Sequence, residues 1–294
     1  MEEKRAYTRE QRSRRGLDDP DVRFDLIAYD AGALVARYYL AYGDAEPEGD
    51  TPPPVTWAGA EHVDRVVLVA PPNFGSIAAM LRLVEGEVVS QAHPRVPAAI
   101  LGTMPGLYQM LPRARHGQVV DEQAEALDPF DAELWETMGW GLASDDADSV
   151  LVHLLPDVRS AGERREIALD HLRKCLERAR CVTASLDVPA ALPPHVALIG
   201  FSADAVPTAS LLRVDTRSGA LTVADKAPGD GLVLRSSVLA DERLGTVWTQ
   251  RLQSPIDWDQ LFLFHTDRAG LTGGAAFVNN LLYLLLEAPP AGLR

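Results

Sequence analysis

The chain has 294 residues, 47% of them hydrophobic, which is enough to bury a substantial core and excludes a disordered or fibrous protein. A formal net charge of −14 argues against nucleic acid and anionic membrane surfaces as partners, since neither polyanion attracts such a surface. The two cysteines, Cys175 and Cys181, share a predicted helix with poor geometry for a disulfide, so they read as reduced thiols of a cytoplasmic protein.

Glu2 to Asp21 is a charged, Arg-rich lead-in with no apolar run that would make a signal peptide. Phe24 to Ala28 then reads as a short apolar strand. It turns abruptly at Tyr29-Asp30-Ala31-Gly32 into an amphipathic helix carrying Leu34, Val35, Tyr38 and Tyr39. Small residues flank the turn, with Ala28 before Asp30 and Gly32 after it. That is the steric recipe of a nucleophile elbow, with aspartate at the centre instead of serine. An aspartate in such a turn is also a common helix cap.

Gly43 to Pro54 is a polar loop. Val63 to Ala70 is a continuous β-branched run, as expected of a strand buried on both faces of a parallel sheet. Pro71 to Ser76 makes a turn into a helix, Ile77 to Val84, and the alternation of strand and helix predicts an α/β fold. From Gly86 to Leu192 the pattern becomes helical, with periods over Ala124 to Leu142 and Ser160 to Leu186. This stretch predicts a helical cap inserted over a pocket, with Trp135 and Trp140 in its core. The expected organisation is therefore a lead-in over 1–21, a core from 22–85 and 193–294, and a cap over 86–192.

The strand pattern resumes at His195 to Phe201, a hairpin is predicted over Leu211 to Val223, and Gly229-Asp230-Gly231 presents a carboxylate in a loop. The last strand, Leu261 to Phe264, delivers His265. A final apolar helix, Gly274 to Glu287, should pack on the sheet. Its apolar run is too short to span a bilayer, so no transmembrane segment is expected.

Asp30, Asp230 and His265 each follow the C-terminal end of a predicted strand, the edge where open α/β sheets bind ligands. Taken singly, each has a bland explanation: a helix cap, a turn, a hydrogen-bonded surface histidine. Their order is that of nucleophile, acid and histidine in α/β-hydrolases.

Asp25 to Leu40 resembles the elbow of lecithin:cholesterol acyltransferase-like and lipase-like α/β-hydrolases, in which serine holds the place of Asp30. Val69 to Ser76, Met104 to Arg113 and Gly229 to Val233 with Ser236 resemble further stretches of the same family. The resemblance covers Arg23 to the C-terminus and implies an α/β-hydrolase-type parallel sheet with a helical cap. It also implies that Asp230 is the triad acid and His265 the base. The residues before Asp30 are too few and too polar for the strands that precede the elbow in that family. That half of the sheet is expected from another polypeptide, from capping by the lead-in, or to be lost with an incomplete gene. A bare hydrophobic edge there predicts an oligomer or a partner chain.

A carboxylate attacking an ester gives a mixed anhydride less stable than the ester, which disfavours ordinary lipase chemistry. Opening an epoxide or displacing a halide instead gives an alkyl-enzyme ester. In that scheme Asp30 attacks, His265 is the base, Asp230 orients it, and the Ala31 backbone N–H holds the oxyanion. The alternative is a degenerate site on a binding or partner subunit, with Asp30 and Asp230 flanking a protonated His265. The expected ligand is a small apolar or lipid-like ester, with no cofactor and no metal.

Overall fold

The computed structural model describes residues 1–17, 22–47, 51–89, 92, 94–242 and 252–289. The opening helix, α1 (Glu2–Arg14), buries none of its residues. Its contacts are at the foot of the sheet, where Arg5 bonds the ring of His62 and Glu2 lies 3.4 Å from the same ring.

β1 (Phe24–Tyr29) leads into α2 (Ala31–Tyr42), and β2 (Val63–Val69) into α3 (Ile77–Glu85). Ser76 caps α3 by accepting from the Ala78 N–H at 3.1 Å. After α3 come α4 (Ala98–Leu101), α5 (Pro105–Tyr108), the short β3 (Val119–Val120), α6 (Ala132–Met138), α7 (Asp148–Leu154) and the long α8 (Ala161–Leu186). β4 (Ala197–Ala203), β5 (Val206–Val214), β6 (Leu221–Gly229), α9 (Arg235–Leu239), β7 (Gln260–Phe264), α10 (Arg268–Gly273) and α11 (Ala275–Leu286) complete the described chain.

The main sheet has the order β1-β2-β4-β7, with every pair parallel. A parallel sheet needs helical crossovers and cover on both faces, and β4, buried throughout, and β2, buried except at Asp64, show it. One face packs Val67, Val69, Ile199 and Phe201 against Leu271, Phe277 and Leu284 of α10 and α11. The other packs Val66, Leu68 and Leu198 against Ala33 and Leu40 of α2. β1 is the edge strand and alternates between half-buried and exposed residues.

The segment between α3 and β4 builds a separate cluster around Trp135, Tyr108, Leu142 and Leu172, into which α3 and β5 also pack. Trp135 and Trp140 meet edge to face at 5.6 Å inside it. The helical period expected over Ala124 to Leu142 is shorter, with only Ala132 to Met138 in α-helix. Asp131 caps its start, and Gly139, at φ 66°, takes the left-handed backbone that ends it. The hairpin is longer than the sequence suggested, because β5 and β6 pair antiparallel from Val206–Gly229 to Val214–Leu221, and β3 joins β5 in parallel. Neither cysteine is in a disulfide, and both are buried. Among the described residues, no helix is long and apolar enough to cross a membrane.

Candidate functional site

Asp30 stands between β1 and α2 with φ 53° and ψ −130°, a backbone that a residue with a Cβ adopts only under strain. Its N–H donates to the Val69 carbonyl at 3.0 Å, and its own carbonyl accepts from the Ala33 N–H at 2.9 Å. The chain is thereby swung from strand into helix within one residue. The side chain makes no cap hydrogen bond to α2, so capping does not explain the aspartate. A Cβ on Gly32 would meet nothing within 4 Å, so no close neighbour demands a glycine there. Ala28 is half-buried on the strand, and Ala31 is the first residue of the helix.

Asp230 follows β6 in a loop that needs glycines for two reasons. A Cβ on Gly229 would lie 2.5 Å from both Thr208 Oγ1 and the Val233 carbonyl, and Gly231 has φ 100°. The Asp230 carboxylate is 1% exposed. Its Oδ1 accepts the backbone N–H groups of Leu232 at 2.8 Å and Val233 at 2.7 Å. Its Oδ2 accepts from Arg268 Nη1 at 2.7 Å.

Arg268 joins the two carboxylates. It is the first residue of α10, held by its own N–H to the Asp230 carbonyl at 3.1 Å and by Asp267, which caps the helix through the Gly270 N–H. Its Nη2 lies 2.8 Å from Asp30 Oδ1 in ion-pair contact, without the alignment of a hydrogen bond. The guanidinium also lies 4.9 Å from the centre of the Tyr29 ring. Burial works to lower its pKa, but Asp30 and Asp230 outweigh that and hold it above the ordinary arginine value. In a serine triad, a histidine stands between nucleophile and acid. Here the guanidinium of Arg268 stands between Asp30 and Asp230.

His265 follows β7 directly and takes a different partner. Its Nδ1 lies 3.2 Å from Asp204 Oδ1, and its side chain is 87% exposed. Asp204 follows β4 and also accepts from Arg235 Nη1 at 2.8 Å. Burial raises its pKa, but the hydrogen bonds from His265 and Arg235 bring it below the usual carboxylate value. The structure thus brings Asp30 and Asp230 together through Arg268 and seats His265 on Asp204.

Sequence reasoning missed Arg268, Asp204 and Arg235. One signal was available for Arg268: Asp267 is a good helix cap placed just after the last strand, which puts Arg268 at the start of the following helix.

The other stretches that carried the family resemblance fasten this edge from behind. Asn73, fully buried, accepts from Arg37 Nη1 at 3.0 Å and donates to the Val238 carbonyl at 2.6 Å. Arg113 donates to the carbonyl of Asn73 at 2.7 Å and to Asp187 at 3.0 Å. Burial lowers the Arg37 pKa to about 10 despite the pull of Asp187.

No family model and no curated protein matches the chain. Among solved structures, a chain of the Tle4–Tli4 complex superposes with a TM-score of 0.52 at 15% identity, over 78% of this chain and 53% of that one. The fold is that of an α/β-hydrolase. Two lipases align more loosely. Lipase 1 from Pelosinus fermentans gives a TM-score of 0.37 at 11% identity, over 91% of this chain and 72% of that one. Bacillus licheniformis lipase BlEst2 gives 0.36 at 11%, over 97% and 40%. The chain spans about half the length of the Tle4–Tli4 chain that it matches. At 15% identity the likeness to the Tle4–Tli4 chain carries the fold and nothing of the chemistry.

Proposed function

We propose that this chain is a hydrolase-fold protein that does not turn over esters by the serine route and acts instead through what it binds. The observation that carries the reading is the guanidinium of Arg268 in ion-pair contact with both Asp30 and Asp230. A guanidinium stays protonated and has no lone pair to accept a proton, so it supplies no general base. The two side chains are complementary. A neutral base in place of Arg268 would leave the Asp30 and Asp230 carboxylates facing each other without a counter-ion.

The reading includes an ancestry among lipid acyl-hydrolases or acyltransferases, a helical cap over residues 86–192, and a cytoplasmic setting. The bound species is a small apolar or lipid-like ester, or a partner chain at the open edge of β1.

The test assays the wild type, Asp30→Ser, Arg268→His and the double variant with short and long acyl esters and with a fluorophosphonate probe. We expect the wild type and both single variants to be silent and the double variant to gain labelling. Ester turnover by the wild type that Asp30→Asn abolishes would overturn the proposal.

A second reading is favoured by the strained elbow backbone and by the 34% exposure of the Asp30 side chain. In it Asp30 attacks the saturated carbon of an epoxide or alkyl halide, with His265, held by Asp204, as base and the Ala31 N–H on the oxyanion; the Asp230 role expected from the sequence falls away, because Arg268 occupies that carboxylate. Turnover in ¹⁸O-labelled water would then place label in Asp30, and turnover without label would sink that mechanism.

A further inference from the structure

On the face of the sheet that α2 covers, a cavity of about 50 Å³ lies between α2, the segment after α8 and the segment before β7. Its walls are largely apolar, with Leu40, Trp57, Leu186, Leu192, Leu198 and Ile256 among them. Trp57 holds a left-handed backbone, φ 56° and ψ 26°, which bulky residues seldom adopt.

Arg37 lines the same space. Its Nη1 donates to Asn73 Oδ1 at 3.0 Å and its Nη2 to the Leu186 carbonyl at 2.6 Å. Those bonds use two of the five N–H groups of a guanidinium, and both acceptors are neutral. Asp187 pulls on Arg37 electrostatically, but its Oδ2 is spent on Arg113 Nε at 3.0 Å and Arg115 Nη1 at 2.7 Å. Its buried Oδ1 has no hydrogen-bond partner among the described residues. Arg37 is thus an interior cation without an ion pair among the described residues. Burial lowers its pKa to about 10, which leaves it charged at neutral pH.

The hydroxyls in the wall are already engaged. Tyr42 donates to the Ser185 carbonyl at 2.7 Å, and Ser185 to the Cys181 carbonyl at 2.8 Å. Asp257 also lines the cavity, and it is exposed. The donors left for a ligand are therefore those of Arg37. A cation held away from water gains most from an anion with matching geometry, and a carboxylate fits a guanidinium fork. The apolar walls suit an alkyl group, and the volume, roughly that of two waters, limits it to about two or three carbons in all.

We propose that this cavity binds a short aliphatic monocarboxylate, its carboxylate on the remaining N–H groups of Arg37 and its alkyl end among Leu40, Leu192, Leu198 and Ile256. Nothing at Asp30, Asp230 or Arg268 takes part, so the site stands whatever those residues do.

The experiment is isothermal titration calorimetry of the full chain at pH 8 with propionate, propionamide and inorganic phosphate. We expect propionate to bind with a Kd of about 1 mM, since a ligand of so few atoms seldom does better. Propionamide has the same shape without the charge. Phosphate is mostly a dianion, repelled by Asp257 and without an alkyl group for the walls. Both should bind at least about tenfold more weakly. Arg37→Gln should weaken propionate binding by about tenfold or more. Ala190→Leu keeps Arg37 and fills the cavity from its wall, so it should do the same with unchanged circular dichroism, and it decides the matter if Arg37→Gln fails to fold. No binding of propionate by the wild type, less than tenfold preference over propionamide or phosphate, or wild-type affinity in folded Ala190→Leu overturns the proposal.

Discussion

Two carboxylate–cation groups stand side by side at the C-terminal edge of the sheet, and they differ in what surrounds them. In Asp230–Arg268–Asp30 the inner pair is closed in, with Asp230 1% and the Arg268 side chain 14% exposed, and Asp30 lies at its mouth, 34% exposed. In the second group the acid, Asp204, is 19% exposed and its cationic partners reach into solvent, Arg235 at 43% and His265 at 87% exposed. Burial removes the water that would otherwise solvate each ion, so loss of one partner strands the other. An exposed pair simply returns to water. A histidine at the end of the last strand is therefore not enough to make a base. What matters is which side chain occupies the closed-in position, and here that is Arg268.

The largest effect should come from emptying that position. Arg268→Met keeps the length and removes the charge, leaving Asp230 buried with only its two backbone donors. A loss of about 3 kcal/mol is expected, read by urea denaturation. A cost near that of a surface substitution would mean that the two groups do not differ as described.

Next is the elbow itself. At φ 53°, Asp30→Gly and Asp30→Ala both lose the ion pair, but only alanine keeps a Cβ in that backbone. Glycine should be the more stable of the two by about 1 kcal/mol in the same measurement. Equal stabilities would show that the turn stores no strain.

The outward group should respond to pH more than to deletion. The folded pKa of Asp204 lies below its ordinary value, so its contribution is fully present above the usual aspartate range and is lost as the pH falls through the folded value. Asp204→Asn should cost no more than about 1 kcal/mol at pH 7, and the gap to wild type should close at lower pH. A gap that widened on acidification would contradict the sign of the shift. His265→Ala is the smallest change, within about 0.5 kcal/mol of wild type in stability.

Much of the fold was legible in the chain because strand and helix signals are local. The β-branched run Val63 to Ala70 became β2, buried along its length except at Asp64, and the helical period after Ser160 became α8 with its serine cap. The abrupt change of pattern around Asp30 located a strand-to-helix turn, and Gly229 and Gly231 marked a loop that holds a carboxylate. Legibility weakened where an element depends on distant partners. The extent of β5 and β6 is set by their mutual pairing and by β3, which comes from a segment that otherwise reads as helical.

The amino-acid sequence by itself determined an α/β architecture, an aspartate at the elbow and a second carboxylate between glycines, because each is written in residues close together. Only the tertiary structure decided which cation meets those carboxylates. His265 and Arg268 are neighbours in sequence, but the end of β7 leaves the first facing solvent beside Asp204, while the start of α10 folds the second back between Asp30 and Asp230. That choice depends on strand order and helix placement, which bring residues 30, 230 and 268 within ion-pair distance, and no local pattern encodes it.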